Sequence, residues 1–438
     1  MQNRELLALA EQTLDLAAGR LGRIGQAEVY AYETAATPVD FEANRLKALE
    51  TKETRGFDLR VVKDGRIGLA STTRLDDLQQ LVETAIELAA FGAEARFELP
   101  ATVAAAPVDV FDPATEALPV EQLAARGQEM IDRVGPCGHM DLIGDFAYRL
   151  PATVISEMLG VPTDDQEQFR QWSDDILSFV SEFASRCGPA PDHRTLADAV
   201  IRKFEILKAV VPLAPGRLPV IFNPRGVAGH LLPCFGVALS GKSVLQGSSA
   251  LSDRLGQQVF DPRLTIVDDS TISGMPGSAP FDDEGVPTRR LPLIARGTVA
   301  SFYYDLQTAG LAGTQSTGNG YRSAGSLPSP STGVIVVEPG DVPFEQLLAG
   351  IEEGLLVESM TGSAGNLYSG DFSGSVHLGY KIERGRLVGR VKDTAVAGNI
   401  YADMQRLGGI SDTAEWVGGS VRAPHLLFAE LGVSTRSG

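Results

Sequence analysis

The N-terminal part of the chain alternates between helical and strand patterns. Apolar residues recur at the spacing of one helix face, at Leu6, Ala10, Leu14, Ala17 and Leu21. This spacing predicts an amphipathic first helix, and a second one is predicted at 75–90. Strands are predicted at 27–34 and 41–50. Segment 57–61 alternates apolar and polar residues, and the Asp64-Gly65 pair behind it predicts a tight hairpin.

The C-terminal part consists mainly of short apolar runs separated by turn residues. A helix is predicted at 226–239, where the apolar residues fall on one face. Runs at 289–294 and 298–302 flank Ala295-Arg296-Gly297, which predicts a hairpin. Residues 273–287 are dense in Gly, Pro and Asp, so we expect an exposed loop with fixed turns.

A chain of 438 residues forms two domains more readily than one. The helical and strand patterns together predict an α+β protein. We place an N-terminal α/β domain at 1–212 and a mostly-β C-terminal domain at 217–438, with an atypical helical segment at about 137–186.

Charge and cysteine content narrow the function classes. The net charge of −18 argues against a nucleic-acid-binding surface, because phosphate binding needs clustered Lys and Arg. The amphipathic N-terminus carries acidic residues and resembles neither a signal peptide nor a membrane span, so no membrane partner is expected. Three cysteines are too few for a disulfide framework, so a cytoplasmic location is expected.

Several longer sequence motifs resemble those of a known protein family. They are RGFDLRV at 55–61, GQQVFDP at 256–262, VDD at 267–269, FDDEGVPTR at 281–289, TGNG at 317–320, NLYSGDFS at 366–373 and AGNIY at 397–401. In this order they resemble the TldD/PmbA family, two-subunit peptidases also described as modulators of DNA gyrase. The negative charge gives the gyrase description no support.

The resemblance also has an implication for metal binding. The catalytic branch of this family carries H-E-x-x-x-H on the helix at 226–239, together with a distant cysteine, as zinc ligands. This chain has Pro233, Cys234 and Ala238 at those positions, and no cysteine in 407–423. The resemblance therefore points to the PmbA (TldE) branch, with no cofactor in this chain. It implies a TldD-type heterodimer partner that brings the zinc, and a peptide substrate.

The glycine-rich motifs suggest where the backbone of a substrate would approach the protein. Candidate substrate-binding residues are Gly318, Asn319, Gly320, Ser369, Gly370, Asp371 and Ser373. Glycines leave room for a neighbouring backbone, and a peptide at a sheet edge is held by backbone hydrogen bonds. The same words can equally be tight turns of the protein's own chain.

Residual catalytic chemistry would have to use a few isolated side chains. His230 precedes Cys234 by one helical turn, so the two could form a thiolate–imidazole pair, although a buried Cys on an apolar helix is usually a packing residue. His377 is a third weak candidate, in a strand. Asp268-Asp269 and 282–284 could bind a hard cation, but turn and capping roles are favoured for both.

Two further segments resemble functional motifs. Segment 141–173 resembles a helical part of the haem-thiolate monooxygenases, but no cysteine of this chain follows the haem-ligand pattern, so it is interpreted as structural and no haem is expected. Residues 236–243 match G-x-x-x-x-G-K-S, yet a helix is predicted before them where a phosphate loop needs a strand. We therefore do not expect an NTPase.

Three hypotheses follow. The first is a PmbA/TldE-type subunit that shapes the peptide chamber of a zinc metallopeptidase while lacking the zinc ligands itself. The second is a stand-alone homodimeric hydrolase of a small amide or peptide conjugate in natural-product biosynthesis. The third is a scaffold or regulator without a substrate.

Overall fold

The computed structural model describes residues 2–22, 25–36, 39–42, 45–49, 51–100, 104–111, 119, 121, 125, 128, 209–361 and 365–435. The haem-like segment 141–173 and the atypical helical segment at about 137–186 lie outside the described residues. No helix within the described ranges has both the length and the apolar character needed to cross a bilayer.

The N-terminal domain is a small antiparallel sheet backed by two helices. Its elements are α1 (Gln2–Leu21), β1 (Gln26–Ala36), β2 (Val39–Glu42), β3 (Arg45–Leu49), β4 (Lys52–Lys63), β5 (Arg66–Thr72) and α2 (Leu78–Ala89). The main sheet has the order β1-β4-β5. Phe57, Leu59 and Val61 of β4 pack with the apolar faces of both helices. The alternation seen in the sequence thus directs one face of β4 into this core.

Two local predictions have different outcomes here. The Asp64-Gly65 hairpin between β4 and β5 is confirmed, and both residues adopt positive φ (50° and 74°), as a tight hairpin turn requires. The single strand predicted at 41–50 is wrong. The chain forms the two-stranded hairpin β2–β3 instead, with Phe41 opposite Leu46. Asn44, a residue type that favours turns, stands between the two strands in the sequence.

The C-terminal domain is built on one eleven-stranded sheet. Its strands and a separate two-stranded pair are β6 (Gly216–Phe222), β7 (Ile266–Asp269), β8 (Arg290–Ala295), β9 (Thr298–Val299), β10 (Gly320–Tyr321), β11 (Ser329–Pro330), β12 (Ile335–Val337), β13 (Glu353–Thr361), β14 (Asp371–Glu383), β15 (Arg386–Arg390), β16 (Thr394–Asn399), β17 (Leu407–Val417) and β18 (Val421–Thr435). The β8–β9 hairpin turns at Arg296 and Gly297, both with positive φ, which confirms the predicted hairpin.

Five of these strands form a closed circle in which each strand pairs with the next. β6 pairs with β13, β13 with β14, β14 with β16, β16 with β18, and β18 again with β6. Phe222 makes edge contacts with Phe372 and Phe428, with ring centroids 6.3 Å and 5.6 Å apart. These three aromatic side chains come from three different strands of the closed circle. They therefore fill the interior of a small barrel.

Short helices pack against the sheet. Pro224–Gly226, the π-helical turn Val227–Leu231 and Leu232–Ala238 follow one another as helix α3, and α4 (Gly241–Leu245), α5 (Leu306–Ala312), α6 (Phe344–Ala349) and α7 (Ile400–Asp403) are shorter. Leu231, Phe235 and Ala238 of α3 are buried against the barrel. The helix predicted at 226–239 is therefore confirmed, with its apolar face directed inward as expected.

The prediction of an exposed loop at 273–287 holds for only part of the loop, such as Ser273, Pro276 and Gly285. Ser278, Asp282 and Glu284 are at most 8 % exposed. The turns are present, but the loop lies against the N-terminal domain, which contributes Arg60 to it. Polar composition alone did not reveal this, because a polar loop between two domains has the same sequence pattern as a polar loop in water.

Candidate functional site

Helix α3 carries the positions at which the resemblance implied zinc ligands. Its π-helical turn contains His230, and the following segment begins Leu232-Pro233-Cys234. Pro233 has no side-chain donor, Ala238 has none, and residues 407–423 contain no cysteine. Among the described residues no three His, Cys, Asp or Glu side chains form a metal-binding group. This donor set does not fit the zinc site of the catalytic branch.

His230 and Cys234 are both held in their neutral forms by burial. The Nε2 atom of His230 accepts the backbone N–H of Met360 at 2.9 Å, and burial lowers the pKa of the imidazole. The side chain of Cys234 is almost fully buried, and burial raises the pKa of its thiol. A thiolate–imidazolium pair needs the opposite charge states of both groups, and this environment does not favour them.

The segment with the NLYSGDFS motif, residues 366–373, lies directly beside helix α3. The hydroxyl of Tyr401 lies 3.2 Å from the carbonyl oxygens of both Cys234 and Leu367, so it bridges the helix and the loop. Gly370 has φ 78°, and an added Cβ would lie 2.5 Å from the Tyr401 ring. The structure thus gives this glycine a packing reason of its own.

Two of the candidate substrate-binding side chains, Ser369 and Asp371, form an exposed polar cluster at this loop together with Asn399. Ser369 donates its hydroxyl hydrogen to Asp371 Oδ2, and Asn399 Nδ2 donates to Asp371 Oδ1, both at 2.8 Å. These two hydrogen bonds lower the pKa of the exposed Asp371 carboxyl. Ser373 continues the exposed face of β14, and the half-buried His377 lies further along the same face. The cluster offers a carboxylate and hydroxyl groups to solvent.

The candidates Gly318, Asn319 and Gly320 lie in a second place, next to Asp268, Asp282 and Pro287 of the C-terminal domain. Asn319 is 2 % exposed; it donates to Asp268 Oδ2 at 2.5 Å and accepts from Thr317 Oγ1 at 2.7 Å. Gly318 has φ 77°, and a Cβ there would lie 2.6 Å from the carbonyl oxygen of Pro287. Within the described part of the chain, no hydrogen bond links this group to the cluster at Asp371. The role of both groups in substrate binding stays a prediction.

The carboxylates of Asp268 and Asp282, in the two acidic motifs, accept hydrogen bonds from backbone amides. Asp282 Oδ1 accepts the N–H groups of Glu284 and Val286, and its Oδ2 accepts that of Gly320 at 2.8 Å. Asp268 accepts the N–H groups of Gly333 and Val334, both at 3.1 Å. Burial raises the pKa of Asp268 to about 6 although these hydrogen bonds lower it. The predicted turn role is thus observed for Asp282, whereas Asp268 holds the backbone of a segment far along the chain.

Sequence reasoning missed a buried network of charges between the two domains. Arg60 of β4 is 2 % exposed and pairs with Glu28 of β1 at 2.7 Å and with Glu284 at 2.8 Å. The fully buried Arg322 also reaches Glu28, at 2.6 Å, and its backbone N–H donates to Asp283 Oδ2. The polar face of the N-terminal sheet therefore faces the C-terminal domain and not the solvent.

The local electrostatics of this network are dominated by burial. Removal from water raises the pKa of Glu284 to about 7, although the cation Arg60 and the hydrogen bond from the Leu306 N–H act in the opposite direction. Asp58, which lies two residues before Arg60 and on the same face of β4, accepts the N–H of Gly325 at 2.8 Å. The motifs RGFDLRV and FDDEG, on which the family resemblance rests, were the available sequence indication of this contact.

The phosphate-loop match is confirmed as a coincidence. Residues 236–243 run from helix α3 into helix α4, so a helix and not a strand precedes the glycines. A Cβ on Gly241 would clash with the ring of Tyr304, so protein atoms already occupy the space beside this glycine. The backbone geometry of a phosphate cradle is absent from this described segment.

Comparisons with known proteins agree with this geometry. Residues 215–435 match the PmbA/TldA metallopeptidase C-terminal domain, and residues 27–89 match PmbA/TldA metallopeptidase domain 1. The fold is similar to the crystal structure of TldE from Thermococcus kodakarensis, with a TM-score of 0.76, 18% identity, and coverage of 97% of this chain and 100% of that one.

Curated relatives are similar in part or along most of the chain. A "Metalloprotease TldD homolog" from Haemophilus influenzae is 32% identical over 50% of this chain and 46% of its own length, so the match spans about half of that relative. A "Metalloprotease" from Methanothermobacter thermautotrophicus is 22% identical over 89% of this chain and 88% of its own length. With the family model matched across half of the sequence, the chain belongs to the PmbA/TldD metallopeptidase family.

Proposed function

We propose that this chain is a PmbA/TldE-type subunit that pairs with a zinc-bearing TldD-type protein and completes a chamber for small or unfolded peptides. The observation that carries the proposal is helix α3, where Pro233, Cys234 and Ala238 stand in place of the zinc ligands and the activating glutamate of the catalytic branch. The chain supplies no metal chemistry in this proposal. Its contribution is to bind and position the peptide.

The polar cluster beside α3 is the proposed peptide contact. Asp371 and Ser369 are exposed, adjacent and already oriented by Asn399, so they need little reorganisation to bind a backbone amide or an N-terminus. The cluster lies at the start of β14, where the alternation of the strand places Ser373 on the same exposed face. Because β14 pairs with β16 and then with β13, the exposed side chains of the cluster, and not a free strand edge, contact the peptide backbone in this proposal.

The test is a reconstitution assay. The purified chain is incubated with an unstructured peptide mixture alone, with a TldD-type protein that carries H-E-x-x-x-H, and with both plus a chelator, and products are detected by mass spectrometry. We expect no cleavage by the chain alone, cleavage with the partner, and loss of cleavage with the chelator. A partner whose motif histidines are replaced is the matched control.

The opposite result would favour the stand-alone homodimeric hydrolase. Cleavage by this chain alone that survives the chelator would overturn the partner role and direct attention to His230, Cys234 and His377. The peptide contact is checked separately with Asp371→Asn, which removes the charge of the cluster, against Asp412→Asn at another exposed position. Only the first substitution should weaken peptide binding.

A further inference from the structure

A cavity of about 280 Å³ lies where the N-terminal sheet meets helices α4 and α5. Arg60 and Asp305, both 2 % exposed, form its buried wall, and Lys242 of α4 lies on its exposed side. The cavity is lined by different residues from those of the cluster at Asp371. Its size lies near the lower end of the range for small-molecule sites.

Three charged side chains line this cavity: Arg60, which is paired with Glu28 and Glu284, and Lys242 and Asp305, which do not pair with each other. Within the described residues Lys242 makes no ion pair, and Asp305 has no cationic partner. Asp305 Oδ1 accepts the backbone N–H of Thr308 at 2.7 Å and its hydroxyl at 2.5 Å, which fixes the orientation of the carboxylate at the start of α5. A buried carboxylate without a cation is unfavourable, so a ligand that brings a positive group would be stabilised here.

The rim of the cavity is apolar. Leu245 of α4, Leu311 of α5 and Leu327 are 41%, 53% and 43% exposed, and all three line the same opening. Single exposed leucines are common on protein surfaces, but their convergence on one opening beside unpaired charges is a typical feature of ligand sites.

We propose that this cavity binds a small apolar zwitterion, either a free leucine-like amino acid or a very short peptide with free ends. Its ammonium group pairs with Asp305, its carboxylate pairs with Lys242, and its side chain covers the leucines of the rim. Such molecules are products of peptide hydrolysis, but the inference does not rest on the proposed function, because it concerns binding by this chain alone.

The test is isothermal titration calorimetry on the full purified chain with defined probes. L-Leucine and L-leucyl-L-leucine are compared with N-acetyl-L-leucine, L-leucinamide and glycine. We expect one of the two unblocked apolar probes to bind, and each blocked form and glycine to bind about tenfold or more weakly, which corresponds to about 1.4 kcal/mol. The two unblocked probes distinguish an amino-acid site from a peptide-end site.

Variants identify the cavity as the place of binding. Lys242→Met removes the exposed charge, and Asp305→Asn removes the buried charge while keeping a residue that can accept the Thr308 N–H at the helix start. Both should reduce affinity about tenfold. Lys52→Met, at an exposed lysine outside the cavity, should leave it unchanged. Absence of binding by both unblocked probes, equal binding of the blocked forms, or unchanged affinity in both cavity variants would overturn the proposal.

Discussion

Arg60 and Glu284 are 224 positions apart in the chain, yet their side chains form a buried ion pair with Nη1 and Oε1 separated by 2.8 Å. Arg60 belongs to the N-terminal sheet and Glu284 to a loop of the C-terminal domain. The contact therefore ties the two halves of the molecule together at a place from which water is excluded. Removing one member of such a pair leaves its partner charged and buried.

The first prediction concerns this pair. At pH 8, Arg60→Met should lower the free energy of unfolding by roughly 3–5 kcal/mol, because Glu28 and Glu284 lose their shared cation. Urea unfolding measures the effect. The matched control is Arg217→Met, whose pair with Glu430 is about two-thirds exposed and should contribute less than about 1 kcal/mol. Equal effects of the two substitutions would contradict a special role of the buried pair.

The second prediction concerns pH. Burial raises the pKa of Asp268 from 3.8 to about 6 in the folded chain, so the folded state holds its proton more tightly than the unfolded state. Its contribution to stability is therefore complete below about pH 4 and is lost as the pH rises through about 6. Asp268→Asn should flatten this part of the stability profile, measured by urea unfolding between pH 4 and pH 7. Parallel profiles for the two proteins would show that Asp268 does not titrate in this way.

The third prediction separates packing from substrate contact at a glycine. Gly318→Ala should destabilise the chain by more than about 1 kcal/mol, because φ is 77° and the new Cβ would lie 2.6 Å from Pro287 O. Gly236→Ala is the control. Gly236 lies within α3, and a Cβ added there would have no neighbouring group within 4 Å, so this substitution should be neutral or stabilising. Thermal unfolding compares them. A Gly318→Ala protein of normal stability that binds peptide poorly would favour a direct substrate contact.

The fourth prediction concerns thiol reactivity. In a Cys137→Ser/Cys187→Ser chain, Cys234 should react with a thiol reagent at least about tenfold more slowly in buffer than in urea, because it is buried and its pKa is raised. Absorbance of the released chromophore follows the reaction. Rapid labelling of the folded chain at neutral pH would instead support a nucleophilic Cys234.

Much of the local structure was predictable from neighbouring residues. The β4–β5 and β8–β9 hairpins follow from Asp64-Gly65 and Arg296-Gly297, because few residue types tolerate positive φ. Helix α3 follows from its apolar face. The residues at 233, 234 and 238 were readable too, and that they replace zinc ligands stays a prediction. The pairing of β2 with β3 was missed because the residues of both strands form one apolar and polar run that suits a single strand.

The amino-acid sequence by itself determined the family, the α+β class and the absence of the zinc motif, because these depend on residue identities and short-range periodicity. Only the tertiary structure decided that the polar face of β4 is buried against Glu284, and that the two glycine-rich words lie in separate places. The physical reason is that a polar side chain satisfied by water and one satisfied by a distant ion pair leave the same local pattern. Which of the two occurs is decided by contacts between residues far apart in the chain.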